Sequence, residues 1–150
     1  MNKSIDVGSE KQLFIDDLFF ESADGVFLTV NQPQKTGERL ITSDKPWEKW
    51  DIGWVVSVID DEGIYRMWYQ TVTLEDSGKR KCMLCYAYSV DGGADWIKPN
   101  LGIVEYQGSK ANNIVFAPWS EGTVFKDPTE PEGSPRKYKS FYINQRHKSI

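Results

Sequence analysis

Between Trp54 and Trp96 the chain alternates β-rich runs with tight polar turns, and the runs carry apolar side chains on both faces. Trp54–Ile59 leads into Asp60-Asp-Glu-Gly63, and Ile64–Gln70 leads back out. Asp and Gly clustered between two such runs signal a hairpin, because Gly tolerates positive φ and Asp bonds neighbouring amides. Cys82–Ser89 forms the next strand after the polar link Glu75–Lys81, and a last short strand is expected near Asp95-Trp96. Strict alternation sets Trp54, Val56 and Val58 against Val55, Ser57 and Ile59, Tyr65, Met67 and Tyr69 against Arg66, Trp68 and Gln70, and Leu84, Tyr86 and Tyr88 against Met83, Cys85 and Ala87. A sheet with one face in water alternates apolar with polar residues. This one needs cover on both faces, as the blades of a β-propeller have; a strand set within a β-sandwich is the alternative.

The fold class expected is therefore all-β: antiparallel four-stranded blades of an incomplete five-bladed propeller. At about 40 to 50 residues per blade, 150 residues give two to three blades, so the chain reads as a fragment. Residues 1–10 read as an extension and 11–150 as the partial propeller. Further strands are expected at Gln12–Phe20, Gly25–Val30, Asn112–Phe116, Thr123–Pro128 and Tyr138–Ile143, and the tail Asn144–Ile150 is polar.

Charge and termini exclude several classes. A net charge of −4, with no basic cluster longer than Lys79-Arg-Lys81, argues against nucleic acid, whose binding usually shows as a strongly basic face. The first ten residues contain no apolar signal-peptide core and no run is long enough to span a membrane, so the expectation is a cytoplasmic protein without membrane contact. Cys82 and Cys85 are spaced C-x-x-C, yet residues three apart on a strand face opposite ways. With no second pair and His147 as the one histidine, they read as free thiols, and neither a metal nor another cofactor is expected. Six Trp, seven Tyr and seven Phe exceed what such a core demands. Surplus aromatics in a β protein often line sugar sites, although packing between blades is the plainer reading.

Ser89-Val-Asp-Gly-Gly-Ala-Asp-Trp96 resembles the Asp-box of sialidase-like propellers, with Asp95 where Thr is usual. The physics of that pattern is a turn whose Asp accepts backbone amides while Trp packs beneath it, so Asp91 is assigned to turn building. Gln12–Asp17, Tyr65–Tyr69, Tyr86–Gly92 with Trp96, Lys98-Pro-Asn-Leu-Gly102 and Val124–Pro128 occur together and in order. As a set they resemble the N-terminal part of the five-bladed propeller glycosidase-like proteins of glycoside hydrolase families 32 and 43.

The resemblance implies carbohydrate as substrate or ligand and a site at one end of the propeller channel. Glycosidic cleavage needs one carboxyl group to protonate the leaving oxygen and another to attack or to activate water. By family pattern Asp51 stands as candidate nucleophile or base, without the usual following Pro. Asp127, in Lys126-Asp-Pro128, stands as candidate transition-state stabiliser, with Lys for the family's Arg. An exposed loop position for Asp51 and a turn cap for Asp127 are the competing readings. Trp47, Trp50 and Trp54, with Lys126, are candidates for sugar contact. The family's acid Glu would fall beyond residue 150, and Glu105, Glu130 and Glu132 do not sit in its motif. The expectation is a glycoside hydrolase-like chain that by itself hydrolyses nothing; the alternative is a non-catalytic carbohydrate-binding or protein-interaction module. Open blade faces would favour self-association.

Overall fold

The computed structural model describes residues 5–9, 12–75 and 77–143, so His147 and the tail Asn144–Ile150 lie outside the described residues. The chain divides into two compact units, residues 1–38 and 39–150. The described part of the first unit contains no strand, correcting the two expected at Gln12–Phe20 and Gly25–Val30. The reason lies in Asp16 and Asp17. The Asp16 carboxylate accepts the Leu18 amide and the Asp17 carbonyl accepts the Phe20 amide, turning the chain where an extended run was expected; short polar side chains compete with a ladder in this way. Phe14 stacks on Phe20 and meets Phe19 edge-on instead.

The second unit carries the sheets. Strands β1 (Asp51–Asp61), β2 (Ile64–Leu74), β3 (Arg80–Ser89) and β4 (Ile114–Phe116) form one antiparallel meander in that spatial order. Strands β5 (Gly122–Lys126) and β6 (Tyr138–Tyr142) form a separate antiparallel pair. The fold is all-β with antiparallel sheets, and a 3₁₀ turn, Pro46–Glu48, precedes β1. The expected strand at Asp95-Trp96 reduces to one bridge between Tyr88 and Ile97.

The β1–β2 turn contains only Glu62 and Gly63, at φ 58° and 85°. Positive φ at both central positions is the type I′ geometry whose twist matches a hairpin. Beyond β3 the Asp-box-like loop forms as its pattern implies. Asp91 accepts the Ala94 and Asp95 amides and the Ser89 hydroxyl, and the Trp96 indole donates to the Gly93 carbonyl.

Both faces of the meander carry a buried cluster over β2 and β3, while Trp54, Val55 and Val58 of β1 stay about half exposed. On one face Met67, Tyr69, Met83, Cys85, Ala87 and Ile114 pack against Trp47, with Ile41, Trp96, Val104 and Tyr106 around them. On the other Trp68 and Leu84 pack against Trp119 and Val124, with Tyr86 and Tyr138 alongside. Full burial of a side chain such as Met83 contributes about 2 kcal/mol. Cys82 and Cys85 are free thiols on opposite faces, and burial pushes Cys85 up to about 12.

β1 departs from strict alternation. Its register slips between Ile52 and Trp54 and again between Val55 and Ser57. Each slip is a bulge, which inserts an extra residue and re-aims the side chains beyond it. Trp54, Ser57 and Ile59 therefore pair with Gln70, Trp68 and Arg66 on the Trp68 face, while Val55 and Val58 pair with Tyr69 and Met67 on the Tyr69 face.

Candidate functional site

The direction of β5 decides which candidate residues can meet. The Val124 amide donates to Ser57 Oγ at 3.0 Å, Ser57 and Thr123 hydroxyls lie 3.3 Å apart, and Lys126 Nζ donates to Asp61 Oδ1 at 2.7 Å. Residue numbers rise together along both strands, so β5 runs parallel to β1. Asp51 starts β1 and Asp127 comes just after the end of β5. From the level of Ser57 and Thr123 they diverge in opposite directions, separated by about 30 Å of extended chain. The two carboxylates stand at opposite ends of the strands and share no cleft.

At the Asp61 end one buried carboxylate gathers most of the polar contacts. Asp61 is 4% exposed and collects four donors: Lys126 and Lys137 on Oδ1, Arg66 Nε and the Tyr138 hydroxyl on Oδ2. Arg66 continues to the Tyr86 hydroxyl at 2.7 Å. Trp68 lies against both Tyr86 and Tyr138, with ring centroids 5.3 and 5.0 Å away. The Lys126 ammonium, ahead of the Tyr138 hydroxyl and the other cations, holds the Asp61 carboxyl far below its ordinary range. Lys126, expected to contact sugar, is held in an ion pair that joins β5 to β1.

Asp127 caps the turn after β5. Its Oδ1 accepts both the amide and the hydroxyl of Thr129, and Oδ2 accepts Lys139. The Lys139 ammonium, then Thr129, keeps Asp127 well below the usual carboxylate range. The turn-capping reading of Asp-Pro describes this geometry.

A second paired carboxylate holds the segment before β1. Glu48 is fully buried; Oε1 accepts the Tyr69 hydroxyl at 2.7 Å, and Oε2 accepts the Asp44 and Lys45 amides and Lys98 Nζ. Trp47 belongs to this knot. Its indole donates to Asn113 at 2.8 Å, it meets Tyr106 edge-on, and it is 9% exposed. Trp47 is thus a core residue, correcting its expected role as a sugar platform.

The Asp51 end is different. Asp51 is exposed at the first position of β1, with Trp50 57% and Trp54 46% exposed on either side in sequence. Asp51 pairs with Val72, which pairs with Cys82, so the three form one row across β1, β2 and β3. Trp54, Gln70 and Leu84 form a neighbouring row on the Trp68 face. Gln70 Oε1 and the indole nitrogen of Trp119 are buried there without a hydrogen-bond partner among the described residues. Trp119 packs on Leu84, the cross-strand neighbour of Gln70. Buried polar groups without partners are few in folded proteins.

No protein family, curated protein or solved structure matched this chain.

Of the sequence candidates, Asp51, Trp50 and Trp54 share one end, whereas Lys126 and Asp127 share the other and Trp47 is in the core. The pattern missed Asp61, Glu48 and Gln70. Only for Lys98 was there a signal, since Lys98-Pro-Asn-Leu-Gly102 belongs to the ordered motif set. Among the described residues no group of three or more His, Cys, Asp or Glu side chains converges to hold a metal, and no helix is long and apolar enough to cross a membrane.

Proposed function

We propose that this chain is a carbohydrate-binding module built on a glycoside hydrolase-like propeller plan, and that it binds sugar without cleaving it. The observation that carries the reading is Asp51 flanked by two exposed indoles, Trp50 and Trp54, at the start of the edge strand β1. Indole faces stack on pyranose rings by burying the ring's apolar C–H surface, and a neighbouring carboxylate accepts hydroxyl hydrogen bonds.

The propeller plan is supported by the four-stranded meander, by the buried cluster on each of its faces, and by β5 lying parallel beside β1 as the first strand of a next blade would. The non-catalytic reading rests on the separation of Asp51 from Asp127. Paired glycosidase carboxylates work within about 10 Å of each other, far less than the strand length between these two.

Titration with neutral oligosaccharides, monitored by tryptophan fluorescence and calorimetry, tests the reading. Trp54→Ala and Trp50→Ala are each expected to weaken binding about tenfold, the effect of losing one stacked ring. Failure of every oligosaccharide to bind would refute it, and turnover of an aryl glycoside that Asp51→Asn abolishes would restore a catalytic role.

A second reading is favoured by a different observation. Phe141, Tyr142 and Ile143 are 71%, 42% and 55% exposed, an apolar run on and just beyond β6 that suits self-association. Sedimentation at increasing concentration reads it out, with Phe141→Ser expected to hold the chain monomeric.

A further inference from the structure

Lys98 spends its ammonium donors on the segment that leads into β1. They reach the Thr42 carbonyl at 2.7 Å, Asp44 Oδ1 at 2.6 Å and Glu48 Oε2 at 2.7 Å, and the side chain is 6% exposed. A lysine ammonium carries three donors, so this one segment saturates it. Glu48, the buried partner, is tied to β2 through the Tyr69 hydroxyl, and its own carbonyl accepts the Ser43 hydroxyl. Lys98 is placed in turn by the bridge between its neighbour Ile97 and Tyr88 of β3. The pair thus clamps residues 42–48 against two strands of the meander.

The clamp holds the approach to Trp50 and Asp51. Asp51 begins β1 opposite Val72, and Glu48 ends the 3₁₀ turn. Lys49 and Trp50 therefore lie between two anchored points. Trp50 is 57% exposed, so packing does little to fix its ring, and the backbone on either side sets where the ring points. The Asp61 network ties strand to strand, whereas every acceptor of Lys98 lies outside the strands. A buried ion pair gains little stability over apolar side chains of the same size; what this one supplies is a single geometry for the turn.

We infer that Glu48 and Lys98 are positioning residues for the sugar site: their buried pair fixes the backbone that aims the Trp50 indole, without either residue touching the ligand. This role rests on the carbohydrate reading of Trp50, Asp51 and Trp54 and adds the device that holds one of its rings. A side chain ordered before binding spares the ligand the cost of ordering it.

The test uses Glu48→Gln, which keeps the shape of the side chain and removes the charge that Lys98 answers. Calorimetric titration of the full chain with neutral oligosaccharides is expected to show affinity falling about threefold to tenfold, the cost of ordering one freed side chain on binding. In a Trp50→Ala background the same substitution is expected to change affinity less than about twofold, because the ring it aims is gone. Fluorine NMR of the chain labelled with fluorotryptophan gives a second readout that needs no ligand. The Trp50 resonance, assigned through Trp50→Phe, is expected to move in Glu48→Gln while those of Trp68 and Trp119 stay in place. Asp44→Ala, which removes one half-exposed acceptor of Lys98 and leaves the Glu48 pair intact, is the milder variant and is expected to move the Trp50 resonance the same way by less. A Trp50 resonance unchanged in both variants would overturn the inference, as would an affinity loss of equal size with and without the Trp50 ring. Oligosaccharide binding through Trp50 that Glu48→Gln leaves untouched would overturn the inference and keep the carbohydrate reading. No oligosaccharide binding by the wild-type chain, with the Trp50 resonance still answering to Glu48→Gln, would refute the carbohydrate reading and keep the clamp on Trp50.

Discussion

The two ends of the four-stranded sheet differ in how completely their polar groups are paired. At the Asp61 end one buried carboxylate of β1 gathers two lysines, an arginine and a tyrosine from β2, β5, β6 and the residue before β6. At the Asp51 end an amide oxygen and an indole N–H are buried without a partner among the described residues, and two tryptophans face solvent. The contrast separates architecture from recognition. A saturated network holds strands together because each member would be costly to leave unpaired. Unpaired buried groups lower stability, and a ligand that pairs them recovers the loss.

The largest expected effect is at Asp61. Asp61→Asn removes the one negative charge that three cations share, and breaking a buried ion pair costs roughly 3 kcal/mol or more. Urea denaturation should show the midpoint falling by that equivalent. The pH dependence stems from the lowered carboxyl. Its folded value lies below the ordinary 3.8, so its stabilising contribution is complete above that value and is lost as pH falls below it. The wild-type chain should therefore lose stability steeply below about pH 4, and Asp61→Asn should flatten that slope. A slope equal in both would mean that Asp61 is not the linchpin of this end.

A smaller effect tests one strut of the same network. Tyr138→Phe deletes the hydroxyl that donates to Asp61 and keeps the ring against Trp68. A hydrogen bond to a charged group is worth about 1.5 kcal/mol or somewhat more, and the loss should appear in the denaturation midpoint without a change in slope.

How far these ends were legible in the sequence depends on how local the deciding interactions are. The type I′ turn at Glu62-Gly63, the Asp-box-like loop from Ser89 to Trp96 and the faces of β2 and β3 depend on neighbours within a few residues, and composition and alternation carried them. The run from Gln12 to Phe20 looked like a strand because its residues are apolar; its two aspartates turn it instead. β1 shows a subtler limit. Its two bulges are fixed by pairing with β2, so the true face of Trp54 could not be read from β1 alone. Asp61 looked like a hairpin-turn residue because three of its four partners, Lys126, Lys137 and Tyr138, come from 65 to 77 residues away. The Asp51 and Asp127 pair failed for the same reason: motif spacing says nothing about the parallel course of β1 and β5 that drives them apart. Trp119 and Gln70 carry no sequence mark at all, since being unpartnered is a property of the packed neighbourhood.

The sharpest test of the contrast is also the smallest in stability. Trp119→Phe and Tyr138→Phe each delete one polar handle from an aromatic ring packed in the same cluster on the Trp68 face. Tyr138 gives up a bond, whereas Trp119 gives up a donor that has none. Removing an unsatisfied buried group relieves its desolvation cost of about 1 to 3 kcal/mol, and shrinking an indole to a phenyl ring forfeits packing of about the same size. The two should nearly cancel, leaving Trp119→Phe within about 1 kcal/mol of wild type, while Tyr138→Phe is clearly destabilised. If Trp119→Phe unfolds as readily as Tyr138→Phe, the indole nitrogen is bonded in solution and the Asp51 end is as saturated as the other.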